Sequence, residues 1–126
     1  SVELLQVAAR VGSAALGFCL DTGNSLAVLE DPLEAARNLA PLTLMVHLKD
    51  ARIALEADRA VIHGVPLGEG IVPLAEVVAL LRRDAPDCSV WLESLVSRGA
   101  TPAETCSAEI AAAERGVEYA RRHLGL

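Results

Sequence analysis

Aromatic side chains are almost missing from this sequence: Phe18, Trp91 and Tyr119 are the only three in 126 residues. Any core must therefore be assembled from Ala, Leu and Val. Cysteine is scarce too. Cys19, Cys88 and Cys106 are odd in number, widely spaced, and make no CxxC pair. That argues against a disulfide framework or a structural zinc site and makes a reducing, cytoplasmic compartment the expectation. Long apolar runs are lacking: Leu42 to Leu48 contains Thr43 and His47 and falls far short of the ~20 residues of a membrane span. No charged segment leading into an apolar stretch opens the sequence, so no secretion signal is expected. Positive charge is in short supply as well, with 11 Lys and Arg against 17 Asp and Glu, a net charge of -6. Nucleic acid and anionic membranes are not expected as partners, because both select a basic footprint.

What is present is a foldable chain. Hydrophobic residues make up 52% and charged residues 22%, which is not a disordered composition. At this length one domain, residues 1–126, could bury roughly two-thirds of its unfolded surface.

The apolar spacing of Val2, Leu5, Ala8 and Ala9 predicts an amphipathic helix closed by Gly12. Leu16 to Leu20 reads as a buried strand and Asp21 to Ser25 as a loop. Asp31, Pro32 and Glu34 spell a helix start that must stop before Pro41. Thr43 to Leu48 is a second strand. Arg52–Leu55 and Ala60–His63 around Glu56–Arg59 suggest a small hairpin. Val65 to Gly70 is a glycine-rich loop, and Pro73 opens a helix with Leu74, Val77, Val78 and Leu81 on one face. Ser89 to Leu92 is a third strand. Thr101, Pro102 and Glu104 form a capping box for a helix reaching about His123. Apolar strands alternating with helices give an α/β class with a parallel sheet covered by helices.

Asp21, His47 and Glu93 stand at the C-terminal ends of the three strands. In parallel α/β proteins that rim is where sites form. Each residue also has an ordinary reading. Asp21 could open its turn, His47 could be a hydrogen-bonded core histidine, and Glu93 could pair with an arginine. Together they make a mixed nitrogen and oxygen set suited to Mn²⁺, Mg²⁺, Co²⁺ or Zn²⁺.

Leu20-Asp21-Thr22-Gly23-Asn24, His47-Leu48-Lys49-Asp50, Pro66-Leu67-Gly68-Glu69-Gly70 and Trp91-Leu92-Glu93 occur in that order. This resembles the sugar phosphate isomerase/epimerase family, the xylose isomerase-like TIM barrels, from about Leu16 to Leu124. The resemblance implies a partial (β/α)8 barrel: the last three βα units and the helix preceding them. A complete barrel takes about 250 residues. It also implies that Asp21, His47 and Glu93 are three of four metal ligands. The fourth, a glutamate, belongs to a strand before Val2 in the family's order.

By the same resemblance Asn24 faces substrate, and Glu93 doubles as one of two glutamates that move a proton. Lys49 either neutralises a developing enolate or a substrate carboxylate, or is a solvated loop lysine. Asp50 either orients Lys49 or caps a turn. Glu69 is read as serving loop geometry. His63 and the pairs Arg82-Arg83 and Arg121-Arg122 are read as surface residues.

The implied reaction is proton transfer between adjacent carbons of a sugar or polyol-derived ketone, through an enediolate and with a divalent metal. The chain by itself is expected to be incomplete as an enzyme. One alternative is a catalytically inert half-barrel that self-associates or pairs with the other half, since open sheet edges invite pairing. An endonuclease-IV-like enzyme is less favoured, because Ile62-His63-Gly64 stands where that family carries an Asp-Arg-His triplet.

Overall fold

The computed structural model describes every residue from Ser1 to Leu126. Helix α1 (Val2–Val11) leads to strand β1 (Phe18–Asp21), helix α2 (Pro32–Leu39) and strand β2 (Thr43–Leu48). A hairpin of β3 (Asp50–Glu56) and β4 (Arg59–Val65) follows, then helix α3 (Leu74–Asp84), strand β5 (Ser89–Leu92) and helix α4 (Pro102–Tyr119).

The helix boundaries have local causes. Gly12 takes the left-handed conformation that ends α1, at φ 59°. The Asp31 carboxylate accepts the amides of Leu33 and Glu34, both at 2.9 Å, and so caps α2 ahead of Pro32. Thr101 and Glu104 close the reciprocal capping box of α4. The α-helix before Pro41 does stop, at Leu39, but the chain continues as a 3-10 turn through Ala40–Leu42.

Strands β1, β2 and β5 form one parallel sheet in that order. Leu20, Val46 and Leu48 point from it into the core, against Ala36 and Leu39 of α2 and Leu74, Val77, Val78 and Leu81 of α3. Every buried hydrophobic residue is Ala, Leu or Val. Phe18 and Tyr119 pack only at the margin of that core.

Several boundaries differ from the sequence reading. Strand β1 starts two residues later and ends one later, so Asp21 ends the strand rather than opening the loop. The hairpin is longer on both sides and absorbs Val65. Its turn is Ala57-Asp58, both at positive φ, as a two-residue connection between twisted strands requires. Pro73 caps α3 instead of starting it. The final helix leaves α geometry after Tyr119 and widens into a π turn over Ala120–Leu124.

Strand β5 is exposed at all four positions. It is an edge of the sheet, so nothing flanks it on its outer side.

Candidate metal centre

The parallel register brings the three strand ends together. Asp21 lies opposite His47 across the β1–β2 ladder. The β2–β5 ladder continues one step beyond β5, with the Glu93 amide donating to the Leu48 carbonyl at 3.0 Å. One ligand atom from each of Asp21, His47 and Glu93 falls within 4.8 Å of the others. Nδ1 of His47 is 3.3 Å from Oε2 of Glu93. These three residues are half-buried, so the group is reachable from solvent.

Lys49 is at the centre of this cluster. Its Nζ is 2.8 Å from Oδ2 of Asp21, 3.3 Å from Oε1 of Glu93 and 3.4 Å from Oδ1 of Asn24. The reading of Lys49 as a solvated loop lysine fails: the residue is buried, at 8% exposure. Burial pulls the ammonium toward a lower pKa, but the hydrogen bonds and charges of Asp21 and then Glu93 outweigh it and hold it above the ordinary lysine value.

The Asp21–Asn24 turn is built around that lysine. The Thr22 hydroxyl donates to the Lys49 carbonyl at 2.6 Å and accepts the Lys49 amide at 2.8 Å. Gly23 leaves room for the lysine stem, since a Cβ there would lie 3.0 Å from Lys49 Cδ. Oδ1 of Asp21 accepts the amides of Gly23 and Asn24 at 2.9 and 3.0 Å, which fixes the carboxylate and leaves Oδ2 facing Lys49. Thr22 and Gly23 had no role in the sequence reading. The signal available was their place between Asp21 and Asn24, but their partner lies 26–27 positions away and only folding supplies it.

Asp50 does not orient Lys49. It is 1% exposed and accepts backbone amides from Gly68 and Gly70 at 2.9 Å, from Val72 at 3.1 Å and from Ala51 at 2.9 Å. A buried carboxylate needs such donors to replace its lost hydration. Asp50 thereby fastens the Pro66–Gly70 loop to the rim beside Lys49.

Glu69, on that loop, reaches Arg115 at 3.4 Å. His63 pairs with Glu56 at 2.6 Å, away from the cluster. Arg82 is more than a surface residue: its guanidinium donates to the carbonyls of Leu124 and Gly125 and secures the end of the chain's last turn. Arg83 pairs with Asp84 and Arg122 with Glu118, both exposed.

The donor set suits a divalent ion. An imidazole nitrogen and two carboxylates are hard to borderline ligands, and their net charge with Lys49 present is one negative unit, which leaves a cation attracted. No helix is long and apolar enough to cross a membrane.

Residues 2–123 match the family model described as xylose isomerase-like TIM barrel. Among curated proteins the chain is 29% identical over 119 residues to 3-oxo-isoapionate decarboxylase of Pectobacterium atrosepticum, covering 93% of this chain and 43% of that protein. A crystal structure of a xylose isomerase-like TIM barrel protein from Mycobacterium smegmatis in complex with magnesium is similar at TM-score 0.73 and 17% identity, over 97% of this chain and 38% of that one. The xylose isomerase domain protein from Planctomyces limnophilus is similar at TM-score 0.69 and 22% identity, over 98% of this chain and 44% of that one. The chain thus spans less than half the length of these relatives.

Proposed function

The chain belongs to the xylose isomerase-like TIM barrel family, and on that premise we propose that it is the C-terminal part of a divalent-metal-dependent enzyme that isomerises or epimerises a sugar or sugar-like ketone. The observation that supports this most is the convergence of Asp21, His47 and Glu93, from three separate strands, within 4.8 Å at the sheet's C-terminal rim.

In this reading Asp21, His47 and Glu93 hold the ion. A divalent ion there supplies Lewis-acid polarisation of a neighbouring carbonyl and hydroxyl. Glu93, whose side chain is 38% exposed, takes or returns the proton on the carbon beside the carbonyl. Asn24 and Lys49 contact substrate oxygens. The Lys49 ammonium, already charged and held by Asp21, offsets the negative charge that develops as the enediolate forms. Its position is set by Thr22 before substrate arrives, so no reorganisation is needed at that moment.

The Pectobacterium relative's name supports a second reading, decarboxylation of a 3-oxo sugar acid. The two readings share their chemistry. Loss of CO₂ from a 3-oxo acid leaves the bonding electrons on the adjacent carbon as an enolate, and a proton then fills that position. Lys49 would face the carboxylate or the enolate oxygen in either case.

The test is turnover of the full-length protein in D₂O with Mn²⁺ and a set of ketoses, ketose acids and inososes. Deuterium incorporation without gas release supports isomerisation, and CO₂ release supports decarboxylation. Glu93→Gln is expected to abolish either and to weaken Mn²⁺ binding. Unchanged turnover in that variant contradicts the assignment.

A further inference from the structure

The Pro66–Gly70 loop is hemmed in by two different elements. Gly68 takes φ 86°, in the left-handed region, and a Cβ there would run into Cδ2, Cε2 and Cζ of Tyr119. Gly70 abuts the Asp50 carboxylate and the Ala51 carbonyl in the same way. Neither glycine has room for a methyl group, so the loop fits without a gap between Asp50, at the end of the sheet, and Tyr119, on α4.

None of the roles above uses Tyr119. Its ring is partly buried against the core and stacks on His123, with centroids 4.8 Å apart. Ala120 and Leu124, which follow it, are buried, and Arg82 ties down the carbonyls of Leu124 and Gly125. One turn earlier Arg115 pairs with Glu69, and a Cβ on Gly116 would lie 3.8 Å from Cγ of Leu67. The segment from Arg115 to Tyr119 therefore backs Leu67, Gly68 and Glu69. Each of these contacts joins two parts of this chain.

The backing reaches the site through the main chain. The Asp50 carboxylate accepts the Gly68, Gly70 and Val72 amides, and the Ile71 amide donates to the Ala51 carbonyl at 2.8 Å. What Asp50 holds is backbone, one residue beyond Lys49, and not the ammonium. On its other side the Lys49 amide and carbonyl are held by the Thr22 hydroxyl. The main chain at Lys49 is thus anchored by Thr22 and, through Asp50, by a loop that has Tyr119 behind it.

We propose that Tyr119 is a positioning residue for the reaction: by backing the Pro66–Gly70 loop it fixes the main chain at Lys49, and so the place of the ammonium beside the substrate oxygens. The proposal rests on the sugar-enzyme reading above. In that reading the ammonium offsets charge that develops in the transition state, so a displaced lysine lowers kcat more than it raises KM. The flat bulk of the ring does this, since Gly68 faces ring carbons, and phenylalanine is an adequate substitute.

The experiment uses the full-length protein with Mn²⁺ and whichever ketose, ketose acid or inosose it turns over fastest. Tyr119→Phe is expected to stay within about twofold of the parent. Tyr119→Leu should lose about tenfold in kcat, with KM and Mn²⁺ affinity within about twofold, while circular dichroism shows it folded at the assay temperature. Tyr119→Met, also without a flat ring, is read in the same way if the leucine variant unfolds. Asp50→Asn weakens the same loop from its other end. Combined with Tyr119→Leu it should lower kcat no further than the more severe single change, because both act through one loop.

Parent-like kcat in folded Tyr119→Leu overturns the proposal and leaves the enzyme reading intact, as does multiplication of the two effects in the double variant. Turnover of no compound by the parent overturns the enzyme reading and the role of Tyr119 with it.

Discussion

The ammonium of Lys49 lies 2.8 Å from Oδ2 of Asp21, inside the cluster that Asp21 forms with His47 and Glu93. A lysine and a metal ion therefore address the same two carboxylates. The opposing demands define what the residue does: it keeps the acidic cluster stable before an ion arrives, and it places a second positive charge where substrate oxygens will sit.

Lys49→Gln removes a positive charge next to the proposed ion. At a separation of about 5 Å and an effective dielectric of 40–80, the repulsion relieved is about 2–3 kcal/mol. Mn²⁺ affinity is expected to rise at least about tenfold while turnover falls, and calorimetry with steady-state kinetics would read both. A metal affinity that falls on this substitution would contradict the arrangement.

Asp50 is expected to matter for stability rather than for metal binding. Replacing it with Ala strands the amides of Gly68, Gly70 and Val72, at a cost of about 3 kcal/mol. Urea unfolding should show that loss, and limited proteolysis should show new cleavage in Pro66–Gly70. Gly70→Ala should act in the same direction, since a Cβ there meets the Asp50 carboxylate and the Ala51 carbonyl. A wild-type urea midpoint in both variants would mean that the loop is held by other contacts.

Cys88 packs against the core, and burial pushes its thiol above the ordinary range. Cys19 and Cys106 are exposed. In residues 1–126 expressed alone, iodoacetamide at pH 8 is expected to modify Cys19 and Cys106 well before Cys88, as mass spectrometry of peptides would show. The sign for stability follows. Above the unfolded thiol's pKa of about 8.5, the unfolded chain loses its Cys88 proton first, so stability falls as pH rises through that range. Cys88→Ala should flatten part of that fall.

Residues 1–126 expressed alone present two unpaired sheet edges, β1 and β5. Such edges recruit other chains. Size-exclusion chromatography is expected to show species larger than the 13.2 kDa monomer. A clean monomer with cooperative unfolding would show that the open edges are tolerated.

Much of this architecture was legible from residue order. The near absence of aromatics dictated an Ala, Leu and Val core, and the strands at Thr43–Leu48 and Ser89–Leu92 fall where their apolar runs do. Asp31, Thr101 and Gly12 mark helix ends through hydrogen bonds and backbone angles that reach only a few residues. Local chemistry of this kind is written in the sequence because both partners are neighbours in it.

The centre of the site was legible only in part. That Asp21, His47 and Glu93 end strands could be read from the chain; that they meet within 4.8 Å depends on parallel register between strands up to 72 positions apart. Tertiary structure alone decided that Lys49 turns inward between the carboxylates, that Thr22 and Gly23 shape its path, and that Asp50 serves the glycine loop instead of the lysine. The reason is the same in each case. A charged or polar group commits to a partner only when folding removes its water, and which partner is then in reach is set by the sheet, not by the neighbouring residues.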